Sequence, residues 1–131
     1  MELTIAVERL AALTLGVVSL SHVAAPRAWV HYFMTMREHG AAAGLRNGLL
    51  HLPLGAAVLA FHPIWSGPGL LTTLVGAGLT AKATAHLLYP PLSQWTLAAV
   101  DEERAWGFRL AGVLGLALTV AIAWLSLRLQ P

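Results

Sequence analysis

The sequence has no cysteine and very little charge. The first absence excludes a disulfide framework and thiolate metal sites. Only 11% of the 131 residues are charged, whereas a soluble domain carries about 25% and coats its surface with them. The eight Lys and Arg residues leave a net charge of only +2 and are scattered along the chain, so they do not make a nucleic-acid surface. Paired carboxylates, a Ser-His-Asp arrangement and an HExxH motif are missing too. Gly76-x-Gly78 lies inside an apolar run rather than at a strand-to-helix turn, so it has no bearing on nucleotides. No catalytic residue, metal site or cofactor is expected on these grounds.

What is present is apolar length. Hydrophobic residues make up 57% of the chain and the mean hydropathy is +0.69. A chain this short forms one domain, residues 1–131. A membrane-crossing helix needs about 20 mostly apolar residues. Four segments meet that need, at about 3–25, 45–61, 68–89 and 106–127. The expected fold is therefore all-α, a four-helix transmembrane bundle. The first segment ends on Ala24 and Ala25 in the manner of a signal peptide. Its start is not basic, since Glu2 and Glu8 outweigh Arg9, and it reads as a span. Pro53 inside the second span predicts a kink.

The arginines set an orientation. Arg27, Arg37, Arg46, Arg104 and Arg109 flank the two longer loops, while the other side has only Arg9 and Arg128. That bias places both longer loops in the cytoplasm and both termini outside. Within the first loop, Trp29, Tyr32, Phe33 and Met36 follow the spacing of one helical face, with Arg27, His31, Thr35 and Glu38 on the other and Gly40 as a stop. The pattern predicts a short helix over 27–39 lying in the headgroup layer.

The chain repeats itself. His22-Val-Ala-Ala-Pro26 closes the first span and His86-Leu-Leu-Tyr-Pro90 closes the third, and a tryptophan follows each, Trp29 and Trp95. Each copy then opens its second helix with an arginine near a glycine, Arg46 with Gly48 and Arg109 with Gly112. The reading is two tandem helical hairpins related by a pseudo-two-fold axis along the membrane normal. Ala77, Ala81 and Ala85, with Gly44 and Gly48 and with Gly112 and Gly115, have the small-residue spacing of helix-packing faces or of a self-association face.

Lys82 is the only charge between Leu70 and Tyr89. A charge inside a span is costly and marks a functional site by default. Depth along the helices, at about 1.5 Å per residue, places Lys82 in one layer near the cytoplasmic end. His86, His22, His51, Asn47 and Arg109 share that layer. Glu8 starts the first span at the other end, about 15 Å away by the same rise. A basic, histidine-rich layer without a carboxylate favours an anion, a lipid headgroup or a carbonyl ligand over a cation or a proton relay. The competing reading is a lysine that snorkels to the interface. His22 and His86, at matched depth, could also hold a haem. Three functions are compatible with these residues. The first is a non-enzymatic accessory subunit or a binder of lipid or a small amphiphile. The second is a small oligomeric transporter or channel. The third is a haem- or quinone-linked redox protein. The expected partners are the lipid bilayer and a second copy or a larger membrane complex.

A resemblance runs through the third-span region. His62-Pro-Ile-Trp65, Thr73-Leu-Val-Gly76, Lys82 and Pro90 resemble a group of small bacterial four-span membrane proteins. That group has His-Asn-x-Trp before the third span, then Thr-Leu-Ile-Gly-Trp, a lysine and a proline. The glycine-to-lysine and lysine-to-proline spacings match. The resemblance implies the four-span fold and a bacterial inner-membrane location, and it places His62, Trp65, Thr73 and Lys82 on motif positions without implying an activity. Pro63, Ala77 and Ala83 stand where the group has asparagine, tryptophan and glycine, so contacts through that amide or indole are lost.

Overall fold

The computed structural model describes residues 2–127, which leaves Arg128, one of the two arginines on the far side of the charge bias, outside the described residues. Among these residues the chain is all-helical. Prolines and glycines punctuate it where the sequence places them. Helix α1 (Glu2–Ala24) stops before Pro26, which opens α2 (Pro26–Glu38), since the first turn of a helix has no use for the missing N–H. Gly40, at φ 57°, turns the chain into α3 (Ala41–Phe61). A 3-10 turn at Gly67–Gly69 leads into α4 (Leu70–Leu88). Pro90 and Pro91 then start a short helix α5 (Leu92–Ala98). The Asp101 carboxylate accepts the Arg104 N–H at 2.8 Å and opens a second 3-10 turn, which runs into α6 (Ala105–Ser126). Pro53 lies within α3 and does not end it.

Two helices, Glu2–Ala24 and Glu102–Ser126 with its leading turn, are long and apolar enough to cross a membrane. The other two long helices, α3 and α4, have comparable length but carry Arg46, Asn47 and His51, and Lys82 and His86, respectively. The expected four spans are thus four long helices, of which two have the composition of a span.

The close pairs are α3 with α4 and α1 with α6, and α1 meets α3 only sparsely. Neither of the two expected hairpins therefore forms a close pair, since α4 and α6 also make no substantial contact. Glycine decides this. A Cβ on Gly48 would lie 3.0 Å from the Ala83 carbonyl and closer still to Leu87 of α4. One on Gly112 would lie 2.7 Å from the Ser19 carbonyl and 2.8 Å from Val23 of α1. Further along, Gly55 closes on Thr80, and Gly16 closes on Thr119. Absent side chains at these points let the backbones approach. The stripe of Ala81 and Ala85 faces away from these contacts and is exposed. The packed face of α4 is instead Thr72, Thr73, Gly76 and Ala83.

The short helices hold one end of the bundle together. Helix α2 lies on α6, and α5 lies on α3. Arg37 of α2 donates to the Val100 carbonyl at 3.2 Å, which satisfies an orphan acceptor just past α5. Burial is inverted relative to a water-soluble protein. The fully enclosed side chains include Glu8, His62, Thr72, Thr73 and Ser93, while Leu10, Leu13, Val17, Leu49, Leu114 and Val120 are exposed.

Candidate functional site: an open basic cavity and a sealed polar cluster

A cavity of about 840 Å³ lies where α1 and α3 separate. That volume is in the range of sites that take small molecules, about 300–1,000 Å³. Trp29, Tyr32, Phe33 and Met36 of α2 form one wall. The face expected to rest on headgroups thus turns inward, where Trp29 stacks on His22 at 4.0 Å and Phe33 stacks on Phe108 of α6 at 5.5 Å. The opposite wall comes from α3, with Arg46, Asn47, Leu50, His51 and Leu54. Lys82 reaches the same space from α4, and Leu97 from α5.

Four of the six residues expected to gather do so: His22, Asn47, His51 and Lys82 all line the cavity. Arg46, expected as a topology signal and as a marker of the repeat, joins them. Two do not. His86 is buried and lies outside the cavity lining, and Arg109 is exposed on α6 away from it. The cavity therefore does not present His22 and His86 to one ligand as a bis-histidine haem site requires.

Hydrogen bonding fixes what each side chain has left to offer. His22, His51 and His86 each donate Nδ1–H to the carbonyl four residues earlier, at 2.8, 2.8 and 2.9 Å. A carbonyl can only accept, so the proton sits on Nδ1 and the free Nε2 of a neutral ring is an acceptor. The Asn47 Oδ1 is buried and has no hydrogen-bond partner among the described residues. The cavity thus combines two cations, Lys82 and Arg46, with unspent acceptors on Asn47 and His51.

The motif residues of the third-span region lie at the far end of α3. His62 and Thr73 are fully buried, whereas Trp65 is exposed. Their partner is Glu8 of α1, which the sequence pattern left without one. His62 Nε2 lies 3.0 Å from Glu8 Oε1, and His62 Nδ1 lies 3.1 Å from Thr73 Oγ1. The Thr73 hydroxyl donates to the His62 carbonyl at 2.8 Å and accepts the Ile64 N–H at 3.2 Å. With that hydroxyl proton spent, His62 must donate Nδ1–H to Thr73, so a single proton lies between His62 Nε2 and Glu8. The chain of acid, imidazole and hydroxyl has the connectivity of a nucleophilic triad. It is sealed, however, and its hydroxyl proton points at a backbone carbonyl. It joins α1, the α3–α4 connection and α4. Sequence reasoning missed this cluster, although Glu8 near the start of α1, His62 just past α3 and Thr73 near the start of α4 share one end of the helices, which counting along the spans could have found.

Among the described residues no group of three or more His, Cys, Asp or Glu is placed to hold a metal ion. Scans of family models, curated proteins and solved structures return no match for this chain.

Proposed function

We propose that the chain is a four-span bacterial inner-membrane protein that binds a small amphiphile in the α1–α3 cavity and catalyses no reaction. The observation that carries this is the cavity itself. It has a basic and amide-bearing wall, an aromatic wall and apolar residues, Leu50 and Leu54, exposed at its edge. An amphiphile can place its head against the first of these and its tail against the last.

The four-span reading draws support from lengths and from inverted burial. At 1.5 Å per residue, α3 and α4 are about 31 and 28 Å long, against a hydrocarbon core of about 30 Å. The residues that lower their hydropathy, Asn47, His51, Lys82 and His86, line the cavity or are buried, as ionisable and polar groups within spans do. Arg27, Arg37, Arg46, Arg104 and Arg109 lie at or near the ends of α2, α3 and α6, so by the positive-inside bias that end of the bundle is cytoplasmic.

Two tandem halves offset by 64 residues fit the same molecule. Helix ends match at Ala24 and Leu88, and helix starts match at Ala41 and Ala105. Gly48 on Leu87 and Ala83 has its counterpart in Gly112 on Val23 and Ser19. Gly55 on Thr80 and Gly16 on Thr119 repeat the pairing with the two residue types exchanged.

Native mass spectrometry of the protein from mild detergent tests the function. The expected result is a co-purifying amphiphile whose occupancy falls in Leu50→Trp, which fills the cavity edge. Bare wild-type protein would sink the reading, as would turnover by the purified chain. Ion flux through liposomes would instead favour the transport reading.

A further inference from the structure

The two halves supply an internal control. Where they agree, the fold itself explains the residue; where they differ at the cavity, packing does not. His22 and His86 agree, and each spends Nδ1–H on the carbonyl four residues earlier. Their role is structural. The positions 64 away from Lys82, Arg46, Asn47 and His51 are Val18, Leu110, Ala111 and Gly115. Helix α6 packs on α1 much as α3 packs on α4, and it does so without polar groups at those places. The α1–α6 pair therefore packs without a cation, an amide or an imidazole at those places, yet the four polar residues of the α3–α4 pair all line one cavity.

We infer that Lys82, Arg46, Asn47 and His51 form a recognition patch for one class of headgroup, a phosphodiester bearing a free hydroxyl. This rests on the cavity being an amphiphile site. The two cations call for an anion. Among the described residues the ion pairs are His62 with Glu8 and Arg104 with Asp101, so neither Lys82 nor Arg46 is neutralised by a carboxylate. The buried Asn47 Oδ1 has no donor among the described residues, and the His51 Nε2 is a second acceptor. A bare anion leaves both acceptors unmet, and an unmet buried acceptor is costly. An ammonium headgroup would meet them but would set a positive charge beside Lys82 and Arg46. A hydroxyl next to the phosphate satisfies acceptors and cations together. Val18, Leu50 and Leu54, all exposed at the edge, accept the attached chains and assign the headgroup to a lipid.

The test uses the full chain in phosphatidylcholine nanodiscs holding equal small amounts of phosphatidylglycerol and phosphatidylmethanol. These two carry the same charge and differ in the hydroxyls. Retained lipid is read by native mass spectrometry. Wild type is expected to favour phosphatidylglycerol over phosphatidylmethanol on the order of tenfold, the worth of one well-made hydrogen bond to a buried acceptor. Each variant imports the residue that the α1–α6 pair carries at the matching position. Asn47→Ala is expected to bring the ratio to near one while both anionic lipids stay bound. Lys82→Val and Arg46→Leu are expected to lose both anionic lipids. Asn placed on the α1–α6 pair, as in Ala111→Asn, should leave the ratio unchanged. Equal retention of the two anionic lipids by wild type would overturn the hydroxyl inference and leave the amphiphile site standing. Retention of phosphatidylcholine equal to both would overturn the patch as an anion site. Absence of any retained lipid would remove the amphiphile site itself. Displacement by excess soluble glycerol phosphate would overturn the lipid assignment in favour of the free phosphate.

Discussion

The two ends of α3 carry polar groups under opposite conditions. At the His62 end, Glu8, His62 and Thr73 are enclosed and bonded to one another and to backbone, with one carboxylate oxygen, Glu8 Oε2, unpartnered. At the Asn47 end, Lys82, Arg46, Asn47 and His51 border open space and keep donors and acceptors unspent. Polarity inside a helical bundle thus has two uses. A closed network fixes which helices meet and in what register. An open one has something to offer a visitor.

The sharpest way to break this contrast is to remove the sealed histidine. His62→Ala leaves Glu8 buried without its partner, and breaking such a pair costs about 3–5 kcal/mol. Thermal unfolding in detergent should show the largest loss of Tm of any variant considered. Replacing both partners, Glu8→Leu with His62→Leu, should recover most of that loss, because two apolar groups leave no uncompensated charge. A double variant as unstable as the single one would mean that the pair itself, and not the orphaned carboxylate, holds α1 to the α3–α4 connection.

Much of this molecule was legible in the sequence, and the reason differs from part to part. The long helices were readable because an apolar run of about 20 residues signals itself and because Pro26, Gly40, the Gly67–Gly69 turn and Pro90 end the runs. The cavity residues were readable because depth follows from counting along a helix, which brought His22, Asn47, His51 and Lys82 to one level. Counting fixes depth but not azimuth. It therefore could not separate His86 and Arg109 from that set, nor show that Ala81 and Ala85 face outward. Pairing was hidden for a related reason. Which helix closes on Gly48 or Gly112 depends on the whole bundle, so α1 against α6 could not be read from adjacency in the chain. Helix α5, at seven residues, is too short to announce itself by periodicity.

A smaller perturbation compares the two halves directly. Gly48→Val and Gly112→Val each push a branched side chain into a neighbouring helix, with a Cβ already within 3.0 Å of opposing atoms. Overpacking of this kind costs about 1–3 kcal/mol. The two losses of Tm should be similar if the halves are structural equivalents. The lipid readout should separate them, since Gly48 lies next to Asn47 in the wall of the cavity, whereas Gly112 meets the cavity lining only through the Cβ of His22, outside the Lys82, Arg46, Asn47 and His51 patch. Equal effects on lipid retention would break the distinction between the halves.

The smallest expected effect on stability belongs to Lys82→Val. Lys82 makes no ion pair among the described residues and is exposed along the cavity, so its loss should move stability by no more than about 0.5 kcal/mol. If Lys82 only snorkels, lipid retention should be equally indifferent. If it holds an anionic headgroup, anionic lipid should disappear at nearly constant Tm, a combination that packing alone does not produce. The reciprocal change sharpens this. Val18 lines the same cavity and stands where Lys82 stands in the other half. Adding Val18→Lys to Lys82→Val moves the cation across the cavity without changing its number of charges. Anionic retention should return, while the preference for a hydroxyl should weaken, because the phosphate is drawn away from Asn47 and His51. Recovery of charge selectivity without hydroxyl selectivity would show that the two are read by different residues of one patch.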